Sequence, residues 1–323
     1  MLYNMRTILD AAREGGYCVA APNVIDDRSA RAVIRAAERA NAPIIIDISR
    51  STIDAQEFQF LAGISAEYAR VSRVPVAVNL DHGKDYEVCV QALASDCSSI
   101  MADRSTLPFE ENAAQVAELS KIAHALGKSI EAELGHVGTN VGAEKEIESS
   151  VIMKDDRDIK AGFTVVEEAV RYVELTQVDA LAVAVGTVHG AYPKGMVPKI
   201  DYERIGQLRE AVPVPLVVHG GSGTAYEDMR RLGPAGITKI NLMADMVANG
   251  ILYTKQFVDS FGGYDSLAHA STLKMKKFID AFNTDVASHG NIDWGVAWHP
   301  HPVPGQNLGS GRVSGRQADP DQR

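Results

Sequence analysis

Short apolar runs of strand length recur along the chain, separated by stretches long enough to form a helix. The runs are rich in Val, Ile and Ala and lack regular polar alternation, which is typical of parallel strands buried on both faces. The pattern therefore predicts a buried parallel sheet. Its eight strands are expected at Tyr17–Val24, Pro43–Ser49, Pro75–Asp81, Ser98–Ala102, Ser129–Leu134, Ala180–Gly186, Pro215–His219 and Ile237–Leu242.

Amphipathic patterns of helical length lie between the apolar runs. In Asp27–Ala40, apolar side chains share one face opposite a row of arginines, and the leading Asp27 is suited to capping the helix. Similar patterns occur at Phe109–Leu126, Glu167–Thr176 and Tyr202–Ala211. Alternation of eight strands with helices predicts an α/β fold of the (β/α)8 or TIM-barrel type.

A doubly wound open sheet is the main alternative, but no GxGxxG sequence follows the first run, and no linker divides the chain into two domains. We expect the barrel to span 1–262, with a C-terminal helical extension of the same domain over 263–301. Helical patterns at Ala244–Phe261 and Ser271–Val286 supply the extra helices. Residues 302–323 have linker-like composition and form either a tail or an arm between subunits of a homodimer or homotetramer.

Composition and charge argue against several classes of protein. Lys plus Arg number 32 against 42 Asp plus Glu, and the resulting net charge of −10 disfavours a nucleic-acid partner. No apolar run approaches the roughly 18–20 residues of a membrane span, and the start lacks the apolar core of a signal peptide. Cys18, Cys89 and Cys97 contain no CxxC spacing, so they indicate neither a disulfide framework nor a cysteine zinc site. We expect a cytoplasmic protein with no membrane partner.

The carboxyl ends of the predicted strands carry the most reactive side chains. Asp81 and His82 follow the third strand, His189 follows the sixth and His219 ends the seventh. In a (β/α)8 barrel these ends converge on one mouth, and three imidazoles with one open position are a ligand set for catalytic Zn²⁺. An isolated histidine at a strand end is more often a hydrogen-bonded core residue, so periodicity alone leaves both interpretations open.

Further polar groups and glycines fall at the same ends. Glu133 belongs to the fifth strand and Asn241 to the eighth. Gly190 and the run Gly220–Gly223, which contains Ser222, let backbone N–H groups approach an anion, as in a phosphate cradle. The alternative is that these glycines only make tight turns.

Six separate blocks of the sequence resemble one known family. They read VNLDHG at 78–83, EAELGHVG at 131–138, AVAVGTVHGAYPKG at 182–195, PKIDYERI at 198–205, PLVVHGGSG at 215–223 and TKINL at 238–242. Over roughly residues 5–285, their order and spacing are similar to those of the class II, metal-dependent fructose-bisphosphate and tagatose-bisphosphate aldolases.

The resemblance implies a role for each matching residue in the metal site. His82, His189 and His219 would bind one catalytic zinc ion, and Asp81 would move a proton at the aldehyde oxygen. Glu133 matches a position that can hold the metal in an alternative place.

The resemblance also implies contacts with a sugar phosphate. Gly190, Gly220 and Ser222 match a cradle for the ketose phosphate, and backbone carbonyls beside Gly190 are suited to a monovalent cation, Na⁺ or K⁺. Lys194 matches a lysine that follows the HGxY block, and Asn241 matches the residue that orients the substrate hydroxyls.

The loop that should supply a proton-exchanging glutamate departs from the family pattern. Family members carry Gly-Gly-Glu or Gly-Gly-x-Glu after the ELG motif, whereas the long connection Gly135–Phe163 has its first carboxylate at Glu144. Connections of this length are usually functional or disordered. Glu144 is our first choice as the catalytic carboxylate, with Glu146 and Glu148 as alternatives.

Two phosphate contacts also depart from the pattern. Ala244 occupies the place of a threonine that supports the ketose phosphate, and His269 occupies that of an arginine that binds the phosphate of the aldehyde half. Imidazole offers fewer donors than guanidinium and is only partly charged at neutral pH. These replacements predict that fructose 1,6-bisphosphate is a poor substrate.

The resemblance implies a class II aldolase that reversibly cleaves a ketose phosphate into dihydroxyacetone phosphate, or a close analogue, and an aldehyde through a zinc-stabilised enediolate. A metal-dependent epimerase or isomerase acting on a ketose or sugar acid would use the same stabilisation, but only an aldolase changes the carbon count. A non-catalytic aldolase-like subunit would explain the altered phosphate contacts, although the retained Asp81 and histidines argue against it.

Overall fold

The described part of the chain covers most of the predicted barrel. The structure, a computed structural model, describes residues 1–51, 53–140, 152–153, 156–190 and 199–248. Three predicted site residues, Glu144, Lys194 and His269, lie outside these ranges, as do the predicted extension over 263–301 and the tail. No helix in the described ranges combines the length and the apolar character needed to cross a bilayer.

Eight parallel strands form one sheet, and two further strands, Thr139–Asn140 and Ile152–Met153, form a separate short pair. Each barrel strand lies within or overlaps one of the predicted apolar runs, so the predicted fold class is confirmed. The strands are β1 Val19–Pro22, β2 Ile44–Ser49, β3 Val76–Gly83, β4 Ser99–Ala102, β5 Ser129–Leu134, β6 Thr139–Asn140, β7 Ile152–Met153, β8 Ala180–Val183, β9 Leu216–Val218 and β10 Ile237–Leu242.

The order of hydrogen-bonded neighbours is that of a barrel rather than an open doubly wound sheet. It runs β1-β10-β9-β8-β5-β4-β3-β2. The two outer strands of this order meet through a parallel bridge between Asn23 and Asp47, where the backbone N–H of Val24 donates to the Asp47 carbonyl at 2.9 Å. Because all pairings are parallel, the carboxyl ends of the strands share one mouth.

Helices connect successive strands. Asp26 caps α2 by accepting from the backbone N–H of Ser29 at 2.7 Å, while the Ser29 hydroxyl oxygen accepts from the Asp26 N–H. The predicted cap at Asp27 was therefore wrong by one position, because Asp27 already lies in the first helical turn. The helices are α1 Met5–Gly15, α2 Asp27–Ala40, α3 Ala55–Val71, α4 Tyr86–Leu93, α5 Phe109–Ala125, α6 Asp156–Ala161, α7 Val166–Thr176, α8 Tyr202–Ala211 and α9 Tyr226–Ala235.

Alternation along the strands divides the side chains between two buried regions. In β3, Val76, Val78 and Leu80 pack outward against helices, whereas Ala77 belongs to a second apolar cluster that fills the lower interior of the barrel. The period of two therefore turns Asp81 inward as well. Burial of each large apolar side chain contributes roughly 1.5–3 kcal/mol, which makes this frame a stable support for the mouth.

The amino-terminal end of the barrel is closed by α1. Its buried residues include Met5 and Leu9, which pack in the same cluster as the interior residues Ala77 and Val217. The Ser99 hydroxyl of β4 also contacts the Met5 sulfur at 3.7 Å. The open end is thus the one at which the predicted site residues lie.

Candidate metal centre and active site

Three histidines from different strand ends converge at the mouth of the barrel. Nε2 of His82 lies 3.2 Å from Nε2 of His189 and 3.0 Å from Nδ1 of His219. All three side chains are largely or wholly buried, and their rings meet edge to face. The structure therefore brings together the three histidines that the sequence singled out.

A left-handed backbone conformation lets two consecutive residues of β3 serve the same mouth. Neighbouring side chains on a strand normally point to opposite faces, yet His82 has φ +49°. This value is uncommon for a residue other than glycine, and such conformations concentrate at functional sites. The following Gly83 is also constrained, because a Cβ there would lie 2.6 Å from the Cys89 sulfur and 2.8 Å from the Met101 carbonyl oxygen.

The histidine nitrogens fit a tetrahedral metal ion. Two ligands about 2.0–2.1 Å from one Zn²⁺ lie about 3.3 Å apart, close to the separations between His82 and its two neighbours. Burial lowers the pKa of His189 and of His219, so both rings are neutral and can offer a lone pair. Burial also acts to lower the pKa of His82, but Asp81 and Asp103 outweigh it and raise the pKa to about 9. The same negative charge would favour a bound cation.

Two carboxylates that sequence reasoning missed fix the orientation of these rings. Asp103 lies 2.7 Å from Nδ1 of His82, and Glu131 lies 2.8 Å from Nε2 of His219. Each imidazole therefore donates from its outer nitrogen to a carboxylate and turns the other nitrogen toward the centre. Two features of the sequence could have identified these carboxylates. Asp103 directly follows β4, as a residue at the mouth should. Glu131 is two residues from Glu133, so both side chains lie on the same face of β5.

A buried lysine supports this arrangement from inside the barrel. Nζ of Lys239 lies 2.9 Å from Glu131 and 3.6 Å from Asp47, and it donates to Oδ1 of Asn241 at 2.7 Å. Burial would raise the pKa of Glu131, but Lys239 and His219 outweigh it and lower the pKa to about 2. Glu131 is therefore a carboxylate at neutral pH and joins His219 to the interior cation Lys239.

Asp81 is held away from the histidines by two amides. Its Oδ1 accepts from Nδ2 of Asn241 at 2.8 Å, and its Oδ2 accepts from Nδ2 of Asn23 at 2.8 Å. The nearest nitrogen of His82 is 3.9 Å from Asp81, beyond hydrogen-bond distance. Asp103, and not Asp81, is therefore the carboxylate that orients His82. Asn23 is a further residue that the sequence did not single out.

Glu133 belongs to a second group of possible ligands. It lies with His82 and Asp103 in a cluster whose donor atoms are all within 4.8 Å of one another. One carboxylate oxygen of Glu133 accepts from the backbone N–H of Val137 at 3.1 Å, whereas the other is buried without a partner in the described residues. Burial and the charge of Asp103 raise the pKa of Glu133 to about 8.

A pocket opens above the histidines. The predicted phosphate residues Gly190, Gly220 and Ser222 line it together with Asn241 and Ala244. At Gly220, φ is +66° and an added Cβ would lie 2.4 Å from the Val188 carbonyl oxygen, so a side chain does not fit there. Other lining residues include Asn23, Ser49, Arg50, Ser51, Asp81, His82, Lys84, Asp85, His189, His219, Gly221 and Met243.

Comparisons with known proteins agree with this geometry. A family model described as class II fructose-bisphosphate aldolase matches residues 3–291. A fructose-bisphosphate aldolase of Staphylococcus aureus strain Mu50 is 34% identical over 249 residues, which cover 75% of this chain and 80% of the relative.

Solved structures that resemble this chain are also described as aldolases. The YdjI aldolase of Escherichia coli K12 superposes with a TM-score of 0.77 at 29% identity and covers 90% of this chain and 99% of its own. A putative fructose-1,6-bisphosphate aldolase of Coccidioides immitis has a TM-score of 0.76 at 28% identity and covers 88% of this chain and 96% of its own.

Proposed function

The chain belongs to the class II fructose-bisphosphate aldolase family and is therefore a carbon–carbon lyase, and we propose that it reversibly cleaves a ketose phosphate into dihydroxyacetone phosphate, or a close analogue, and an aldehyde. The observation that carries this proposal is that one nitrogen of His189 and one of His219 lie within 3.2 Å of His82 Nε2, beside a carboxylate held by two amides. The substrate class is a sugar phosphate, and fructose 1,6-bisphosphate is not singled out within it.

His82, His189 and His219 would hold one divalent ion, which we take to be Zn²⁺ because all three donors are imidazole nitrogens. When bound, such an ion supplies Lewis-acid stabilisation of negative charge on the ketone oxygen. Asp103 and Glu131 keep the two ring tautomers that ligation requires. Glu133 offers an alternative ligand through its unpartnered oxygen.

Asp81 is the proposed base for bond cleavage. It would accept the proton from the hydroxyl on the carbon that becomes the aldehyde, while the electrons of the breaking C–C bond pass to the carbon beside the ketone. Asn23 and Asn241 hold both oxygens of Asp81 in place. Asn241 is proposed to orient the substrate hydroxyls, and its hydrogen bond to Asp81 positions the base as well.

The remaining site assignments rest on the resemblance. Gly190, Gly220 and Ser222 line the pocket as a phosphate cradle requires, and the carbonyls beside Gly190 are the proposed site for Na⁺ or K⁺. Glu144 is proposed to return a proton to the dihydroxyacetone phosphate carbon. Lys194 and His269 are proposed substrate contacts outside the described residues.

The wider assignments are also proposals. We assign 1–262 to the barrel, 263–301 to a helical extension and 302–323 to a tail or subunit arm. The protein is proposed to be a cytoplasmic homodimer or homotetramer, with neither a nucleic acid nor a membrane as partner.

Product analysis tests the proposed reaction. Purified protein loaded with Zn²⁺ is incubated with a panel of ketose monophosphates, ketose bisphosphates and free ketoses, and the products are identified by mass spectrometry. Formation of dihydroxyacetone phosphate and an aldehyde supports the proposal. A product with an unchanged carbon count would establish an epimerase or isomerase instead, and no turnover across the panel would favour a non-catalytic subunit.

A further inference from the structure

An arginine lies in the wall of the pocket. Arg50 directly follows β2, and its neighbours Ser49 and Ser51 line the same wall. Nε of Arg50 is buried without a hydrogen-bond partner, and in the described ranges the guanidinium has neither an ion pair nor a hydrogen bond. Among the described residues, the guanidinium faces the ring of Phe58, whose centroid lies 6.0 Å from Cζ.

Leaving a buried donor unsatisfied is costly, and guanidinium is the side chain best matched to carboxylate and phosphate oxygens. Lys84 and Asp85 lie in the same wall, where their formal charges offset each other. Arg50 therefore adds a positive charge to this side of the pocket.

The barrel topology places Arg50 beyond the reacting carbon. Ser49 pairs with Asp81 in the register of β2 and β3, so Arg50 lies one residue past the neighbour of the proposed base. In the ring of eight strands, β2 lies four positions from β8, whose following segment carries Gly190. A substrate with its ketose phosphate at the glycines and its reacting hydroxyl at Asp81 would extend its aldehyde half toward Arg50.

We propose that Arg50 is a specificity-determining residue that binds an anionic oxygen group, carboxylate or phosphate, at the far end of the aldehyde half. The inference rests on the proposed aldolase function and deepens it by defining the second substrate. It is separate from the phosphate contact expected at His269, because Arg50 directly follows β2 whereas His269 belongs to the predicted helical extension over 263–301.

The test measures condensation with saturating dihydroxyacetone phosphate and two matched pairs of aldehydes. Glyceraldehyde 3-phosphate is compared with glyceraldehyde for the phosphate arm, and succinic semialdehyde with butanal for the carboxylate arm. In the arm that Arg50 serves, Arg50→Met should lower kcat/KM for the anionic aldehyde about ten- to a hundredfold, mainly through KM, the usual range for lost charge-assisted hydrogen bonds. The neutral partner should change less than about twofold, because it lacks the group that a charge-assisted bond requires.

Two further variants complete the design. Arg50→Lys keeps the charge but not the planar fork, so its loss should be intermediate. Arg35→Met removes an exposed arginine from α2 and should change neither aldehyde. If Arg50→Met lowers kcat/KM for the anionic aldehyde more than for its neutral partner in only one arm, that arm identifies the bound anion as carboxylate or phosphate.

Several outcomes would overturn the inference. Arg50→Met could leave both anionic aldehydes unaffected, or both Arg50 variants could lose neutral and anionic activity equally, which would assign Arg50 a structural role. Wild-type protein that condenses none of the four aldehydes would instead refute the proposed aldolase function itself.

Discussion

The carboxylate of Asp103 lies 2.7 Å from Nδ1 of His82 and determines which nitrogen of that ring faces the centre of the mouth. The pKa of Asp103 is held well below its usual range: burial acts to raise it, but the hydrogen bond and charge of His82 outweigh burial. Asp103 is therefore an anion at every physiological pH and supports His82 in its proposed role as a metal ligand.

We expect Asp103→Asn to weaken zinc binding about 10- to 100-fold, the usual cost of losing a carboxylate behind a metal-bound histidine. Competition with a chromophoric chelator measures the affinity. Asp85→Asn is the matched control, since Asp85 lines the same pocket and, within the described residues, has neither a hydrogen bond nor an ion pair with a histidine. Equal affinities for Asp103→Asn and wild type would contradict the orienting role.

His189→Ala should lose nearly all of the bound metal, because two imidazoles leave the tetrahedral site incomplete. Elemental analysis after gel filtration gives the metal content. His124→Ala, on the outer helix α5, should retain the wild-type amount. Chelation should abolish activity in wild type, and borohydride with substrate should trap no lysine adduct. A trapped adduct would indicate Schiff-base chemistry and refute the metal mechanism.

Asp81→Ala should retain zinc and lower kcat by about 10² or more, since loss of a positioned acid or base has this scale. Metal content and turnover are measured on the same preparation. If the variant loses its metal and keeps normal turnover per bound ion, then Asp81 supports ligation and another group acts as the base.

Lys239→Met should lower the free energy of unfolding by roughly 3–5 kcal/mol, because Glu131 and Asp47 would lose a cation with which they are buried. Urea denaturation of the metal-free protein measures this. Lys121→Met, an exposed change on α5, is the control and should have little effect. If the two variants are equally stable, Lys239 is not an important counterion.

The same network gives a pH dependence with a definite sign. Glu131 has its pKa lowered from 4.5 to about 2 by folding, so the stability it contributes is complete above pH 4.5 and is lost as the pH falls toward 2. Glu131→Gln should remove this part of the acid dependence in metal-free protein. An identical acid profile in the variant would show that Glu131 is not specially stabilised as an anion.

Ala244→Thr should lower KM for the ketose phosphate about two- to tenfold, because a hydroxyl at this lining position would add one hydrogen bond. Steady-state cleavage kinetics measure the change. Ala248→Thr makes the same substitution at an exposed position a few residues later and should leave KM unaltered. A higher KM for Ala244→Thr would show that the position cannot accommodate the hydroxyl.

The fold and the three histidines were predictable because their signals are local. Apolar runs mark buried strands, and a strand end is visible in the sequence wherever such a run stops, as at His219. The supporting residues were not predictable in the same way. Lys239 lies within the predicted buried run Ile237–Leu242, but the run does not identify its partners, and only the closed barrel brings it to Glu131 and Asp47 from distant strands. Likewise, the sequence alone does not indicate a role for Arg50, because only the structure shows that it lines the pocket.

Closure of one end of the barrel by α1 determines where the substrate enters and where the products leave. The helix packs against the lower interior residues, so in the described part of the chain the reacting groups reach solvent through the mouth. A ketose held at both ends must enter by that opening, and its two fragments must leave by it. Because both fragments would share this one route, either product, when present in excess, should inhibit cleavage by occupying the mouth.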